Sequence, residues 1–189
     1  EYMEPRTSWF AEHYPGRVPL TIAYLSSEFG LHHSLPFYAG GLGILAGDHI
    51  KASSDLGVPM VAVGFMYAEG YLHQHMEADG WQKNVAEILD RDAAPVLRVL
   101  DDNGRHLVVR VPLIDPPIYV AVWKVQVGRV PLYLLDTHID ENLPENQSIS
   151  HRLYLKELEC RLRQEIVLGI GGRKVLHALG VDYSAMHLN

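Results

Sequence analysis

The sequence predicts an α/β fold. Three observations carry the prediction: a short apolar run, TIAYLS at 21–26, a glycine-rich segment leading into helical spacing over 44–57, and a second apolar run, PMVAVGFMY at 59–67. Strand, glycine loop, helix and strand in that order describe one βαβ unit. Its strands lie parallel because the helix carries the chain back across the sheet.

The first residues, EPRTSWFAEHY at 4–14, read as a short helix with Pro5 in its first turn, and PGRVP, 15–19, as a turn. SEFGLHHSLPFY is a loop after the first strand. In ILAGDHIKASSDLG, 44–57, Ile44, Leu45, His49, Ala52 and Leu56 fall near helical spacing, and Gly57 is a stop. PVLRVL and HLVVRVPL flank DDNG as a hairpin, because Asn-Gly tolerates positive φ. IYVAVWKVQVG and VPLYLLDT join around Gly128-Arg129, which makes an antiparallel meander inserted over about 95–136. After the polar stretch HIDENLPENQSIS, a long helix is predicted from near Ser150. Leu155, Leu158, Leu162, Ile166 and Ile170 lie on one of its faces, and GIGG, 169–172, interrupts or tightens it. Gly180 ends this helix, and AMHLN forms a last strand.

Composition narrows the function. Hydrophobic residues make up 48% and charged residues 21% of the 189 positions, the balance of a soluble globular domain. A net charge of -7 argues against a general nucleic-acid partner. No apolar run reaches membrane-spanning length, so no membrane is expected. A single cysteine, Cys160, fits a reducing compartment, and a cytoplasmic location is expected.

YAGGLGILAGDH, 38–49, poses the central question. Bare backbone at a helix start suits an anion, whose oxygens can approach N–H groups at the positive end of the helix dipole. It equally suits a tight packing turn, since neither GxGxxG nor a P-loop is present. Glu28 follows the first strand, where α/β folds place ligands, and reads either as a ligand for a hydroxyl or as a solvated carboxylate. His32, His33, His49, His73 and His75 match no metal spacing. Asp48-His49 lacks a serine nucleophile and reads as helix chemistry. Arg161, Arg163 and Glu165 read as paired or solvated helix charges, Cys160 as a packed residue, and Trp81 as a sugar platform or a loop anchor.

The order of motifs resembles a known family. IAYLSSEFGLHHSLPFYAGGLGILAGDHIKASSDLGVPMVAVGFMYAEGYLHQHMEADGWQ, then VWKVQVGRVPLYLLDT, RLRQEIVLGIGG and HLN, is similar to the amino-terminal domain of α-glucan (glycogen and maltodextrin) phosphorylases of the bacterial and archaeal branch. The resemblance implies the Rossmann-like half of a two-domain GT-B glycosyltransferase fold, with residues 1–189 a single partial domain. It implies phosphorolysis of α-1,4-glucan to glucose 1-phosphate, with α-1,4-glucan and inorganic phosphate as substrates and a homo-oligomer as a possible assembly. Gly40, Gly41, Leu42 and Gly43 then offer backbone N–H groups to phosphate and sugar, and Glu28 lines the same cleft. Pyridoxal phosphate is held in such enzymes by a lysine of the second domain. Lys51, Lys83, Lys124, Lys156 and Lys174 fall in no matching motif, so no covalent cofactor is expected on this chain and it is expected to be inactive alone. Two alternatives stay open. One is a glycogen or starch synthase-like transferase, which usually carries a lysine before its glycine pair where this chain has Phe37-Tyr38-Ala39. The other is a non-catalytic glucan- or phosphate-binding or partner module.

Overall fold

The computed structural model describes residues 2–3, 8–16, 20–91, 93–112, 115–153 and 157–189, leaving aside the side chains of 71–73 and 86–87. Pro5, Leu155, Lys156 and most of the PGRVP turn lie outside the described residues, as does the side chain of His73. The predicted α/β class holds: a mostly parallel sheet is combined with helices.

The βαβ unit forms as predicted. β1 (Ile22–Leu25) and β2 (Met60–Phe65) pair in parallel, Ile22 opposite Met60 and Leu25 opposite Val63. All of β2 is buried, which is why both strands read as continuous apolar runs rather than alternating ones. Between them, α2 (Gly41–Leu56) starts at the glycines instead of near Ile44. It buries Gly43, Ala46, Gly47, Ile50, Ser53 and Ser54, a stripe of mostly small side chains that brings the helix close to its neighbours. Gly57, at φ 70°, ends it, with Gly57 N–H bonded to Ser54 O and Val58 N–H to Ser53 O. Before this unit, α1 (Trp9–His13) is capped by Ser8, whose hydroxyl accepts from Ala11 N–H.

The described sheet runs β5-β7-β8-β2-β1-β9, with β6 also on β7. β7 (Ile118–Val127) and β8 (Val130–Asp136) form the predicted antiparallel pair around Gly128-Arg129. β8 then lies parallel to β2, so these strands extend the main sheet. β5 (Leu97–Arg98) and β6 (Val108–Val111) both pair with β7 instead of with each other. DDNG is a small excursion between them, closed by a Leu100–His106 bridge and turned by Gly104 at φ 74°. The predicted hairpin forms at this tip, where Asp101 N–H donates to Arg105 O and Leu107 N–H to Val99 O, while the flanking segments run on along β7.

Two features went unread in the sequence. β3 (Glu69–Met76) and β4 (Gln82–Ile88) form a separate antiparallel ribbon. The long helix also begins at Leu158, not near Ser150. Residues before it form α3 (Pro144–Gln147) and a 3₁₀ turn (Ser148–Ser150). Ser150 is buried and exchanges bonds of 2.9 Å with Thr137, so it ties down the end of β8 and starts no helix.

From Leu158 the helix runs as α4 (Leu158–Ile166), a π segment (Val167–Gly171) and α5 (Gly172–Ala178). GIGG therefore widens the helix. The predicted apolar face is also displaced: Leu158 is 83% and Leu162 60% exposed, whereas Val167, Val175 and Leu176 are fully buried. The inner side of α4 is built instead on buried Gln164, whose Nε2 donates to Ile149 O and Arg152 O, and on half-buried Arg163, so the apolar stripe does not mark the inner face there. Gly171 and Gly172 let the widened turn lie on the sheet; a Cβ at Gly172 would stand 3.1 Å from Val63. β9 (Ala185–Leu188) closes the order, parallel to β1.

Candidate functional site

The chain leaves β1 through α2 toward β2 on one side and returns through α4 and α5 to β9 on the other side of β1. In open α/β sheets ligands bind where the chain reverses in this way, outside the carboxyl ends of the strands, here β1 and β9. Ser26, Glu28, Asn189 and the glycine segment gather there.

The glycines divide into two groups. A Cβ on Gly40 or Gly41 would meet nothing within 4 Å, and both residues are exposed. Gly43 is buried, and a Cβ there would strike Tyr38 and lie 2.8 Å from Glu28 Oε2. One turn later, a Cβ on Gly47 would collide with the Gly30 carbonyl. Gly43 and Gly47 thus bare one face of α2 so that segment 28–30 can lie against it, with Gly30 N–H donating to Gly43 O at 2.7 Å. Gly43 and Gly47 therefore follow the packing reading, and Gly40 and Gly41 leave an open surface.

Gly40 occupies the N-cap of α2 without a side-chain cap, and no acidic residue lies in the first turn. The N–H groups of Gly41, Leu42 and Gly43 belong to the turn that has no preceding intrahelical carbonyl. A helix of this length adds its positive dipole end. The arrangement can orient an anion with neutral donors.

Glu28 is 1% exposed, so its carboxylate lies beneath the loop. Its Oε2 accepts from Ala39 N–H at 2.9 Å and Gly40 N–H at 3.4 Å. Ser26 Oγ donates to the Glu28 carbonyl at 3.0 Å and accepts from Asn189 Nδ2 at 3.1 Å. Asn189 N–H in turn bonds Leu25 O at 3.0 Å. Ser26, Gly30, Ala39, Gly47 and Asn189 were not singled out from the sequence. The i, i+4 spacing of Gly43 and Gly47 was the one available signal, since a repeated bare position on a helix face marks a close approach.

The other candidates sit elsewhere or serve structure. Half-buried His49 stacks edgewise on Tyr24 at 4.9 Å, and His187 of β9 does so at 5.0 Å. Burial, then the charge of His187, holds the His49 imidazole below its ordinary range. Burial likewise raises the Tyr24 phenol. Among the described residues, no group of three or more His, Cys, Asp or Glu side chains is placed to hold a metal. Arg163 bonds Glu159 and Asn146 at 2.8 Å, whereas Arg161 borders a small cavity with Ser27 and Gln164. Cys160 is half-buried beside Glu157, and burial followed by that carboxylate raises its thiol. Trp81 is 75% exposed at the tip of the β3–β4 ribbon, so it anchors no loop. Of the described lysines, Lys51 is exposed, Lys83 pairs with Glu77, and Lys124 and Lys174 are half-buried on β7 and α5.

No family model matches the chain. The likeness read from the motifs is borne out by individual relatives. The chain is 44% identical to the maltodextrin phosphorylase of Thermococcus litoralis over its whole length, which is 22% of that protein. It is 49% identical to the glycogen phosphorylase of Aquifex aeolicus over 89% of the chain and 24% of the relative. For the glycogen phosphorylase of Mycobacterium tuberculosis the figures are 46%, 92% and 21%. The chain thus spans about a fifth to a quarter of the length of these relatives.

Proposed function

We propose that this chain supplies the phosphate-binding wall of an α-1,4-glucan phosphorylase, as the Rossmann-like half of a two-domain GT-B fold. The observation that carries the reading is the uncapped, solvent-open first turn of α2 at the carboxyl end of β1. Its likeness to enzymes named glycogen and maltodextrin phosphorylase selects phosphate among possible anions.

In this reading the N–H groups of Gly41, Leu42 and Gly43 orient inorganic phosphate. Their dipoles are fixed before the substrate arrives, so no reorganisation is needed as charge shifts during the reaction. A phosphate oxygen replaces the glycosidic oxygen at the anomeric carbon, and the departing sugar oxygen takes a proton. Pyridoxal phosphate supplies proton transfer in enzymes of this kind. The resemblance puts the lysine that holds it in a second domain, so the steps assigned to this chain are binding and orientation of phosphate.

The test is release of glucose 1-phosphate from maltodextrin and inorganic phosphate by the protein expressed from the entire reading frame that encodes this chain. Phosphate-dependent release is the expected result. Turnover of a nucleotide sugar with no phosphorolysis would overturn the proposal in favour of a synthase.

A further inference from the structure

We infer that Glu28 is a positioning residue: its buried carboxylate acts through the Ala39–Gly40 backbone to hold the glycine turn in its phosphate-binding shape. The inference rests on the proposed phosphate site and assigns Glu28 a role apart from contact with substrate.

Three observations converge. Glu28 is 1% exposed, so its carboxylate is covered by the segment that it supports. Oε2 takes the N–H groups of Ala39 and Gly40, the residues that immediately precede the first turn of α2. The room for that oxygen exists because Gly43 lacks a Cβ, which would otherwise stand 2.8 Å away. Glu28 is itself fixed from behind, through Ser26 Oγ on its carbonyl and Asn189 Nδ2 on Ser26. The donors left for phosphate are those of Gly41, Leu42 and Gly43, and Gly40 N–H is committed inward.

Reach and charge make opposite predictions here. Glu28→Gln keeps an oxygen at the same distance and removes the charge. Glu28→Asp keeps the charge and withdraws the oxygen by one methylene. If Glu28 acts by positioning, the Gln variant retains phosphate affinity within about threefold and the Asp variant loses about tenfold, the worth of one hydrogen bond. If only its charge mattered, Gln would change binding and Asp would not.

The experiment is an amide-resolved NMR titration of the 189-residue chain and both variants with inorganic phosphate. It is paired with hydrogen exchange at Ala39 and a melting curve to verify folding. The expected result has the Gly41, Leu42 and Gly43 amides shifting most, with faster Ala39 exchange in Glu28→Asp alone. Folded Glu28→Asp with unchanged affinity and exchange would overturn the inference, as would Glu28→Gln behaving like Glu28→Asp. A parent chain whose amides ignore phosphate would sink the phosphate site itself, while Ala39 exchange would still decide whether Glu28 holds the loop.

Discussion

At the residue scale, the glycine segment makes a prediction that separates folding from binding. Gly47→Ala pushes a Cβ into the Gly30 carbonyl, a backbone atom that cannot swing aside. It should cost about 3 kcal/mol, read as a lowered denaturant midpoint. Gly41→Ala meets no protein atom within 4 Å and sits in helical backbone, so stability should hold or rise by about 0.5 kcal/mol. The same methyl group covers the N–H turn, and phosphate affinity should fall by about tenfold, as measured by calorimetric titration. A Gly41→Ala chain that binds phosphate normally would move the anion site elsewhere. His49 gives a second prediction. Its imidazole is held below the ordinary value of 6.5, by burial and then by His187, so the unfolded chain takes up the proton more readily. The stability gained from neutral His49 is therefore complete above the unfolded value and is lost as pH falls through the lowered folded one. Melting temperature should drop on acidification from about pH 7.5 to 5, and less steeply in His49→Gln. Equal slopes in the two proteins would count against this account.

At the scale of elements, the α4–π–α5 run tests which face is inside. Leu162→Ala, on the exposed stripe, should change stability by no more than about 0.5 kcal/mol, whereas Leu176→Ala in α5 should cost about 2–5 kcal/mol. Chemical unfolding of both variants decides it, whereas the stripe in the sequence puts Leu162 on the inner face. The reason for the misreading is physical. An apolar stripe marks the inner face only where that face is apolar, and α4 turns Gln164 inward, bonded to Ile149 O and Arg152 O. β1, α2, β2, β7, β8 and β9 were legible because each carries a local signal: apolar runs, the Gly57 stop, alternation along IYVAVWKVQV. The β3–β4 ribbon was not, because EGYLHQHM and QKNVAEI carry no clean alternation, although Asp79-Gly80 between them, with Gly80 at φ 85°, is a turn signal. β5, β6 and the DDNG turn between them were legible, but the pairing of both strands with β7 was not, since that is a tertiary choice that the turn does not make. At the proposed site, motif order pointed to Gly40–Gly43, and the start of α2 at Gly41 places them at its first turn. The burial of Glu28 was not, since a loop carboxylate reads the same in sequence whether it faces solvent or folds beneath its own loop.

At the scale of the whole molecule, the two ends of the sheet differ, and that difference has a consequence. The antiparallel end finishes in short segments, Leu97–Arg98 and Val108–Val111, whose arginines discourage further pairing. The parallel end finishes in β9, which pairs only with β1 among the described strands. All its residues are exposed, with Leu188 at 67% and Met186 at 36%. Parallel strands are ordinarily buried on both faces, so an open parallel edge of this kind offers unpaired backbone groups and apolar side chains together. The aligned spans are only 21–24% of the relatives, which leaves ample sequence in them to cover such an edge. The 189-residue chain by itself should therefore self-associate as its concentration rises, seen as an increasing weight-average mass in sedimentation equilibrium. Leu188→Lys places a charge on the edge and should shift association to higher concentration by about tenfold, with little effect on the melting temperature because the side chain is already exposed. Association unaffected by Leu188→Lys but abolished by Leu162→Lys would place the contact on α4 instead. A chain that stays monomeric at every concentration would mean that the outer edge of β9 is adequately satisfied by water.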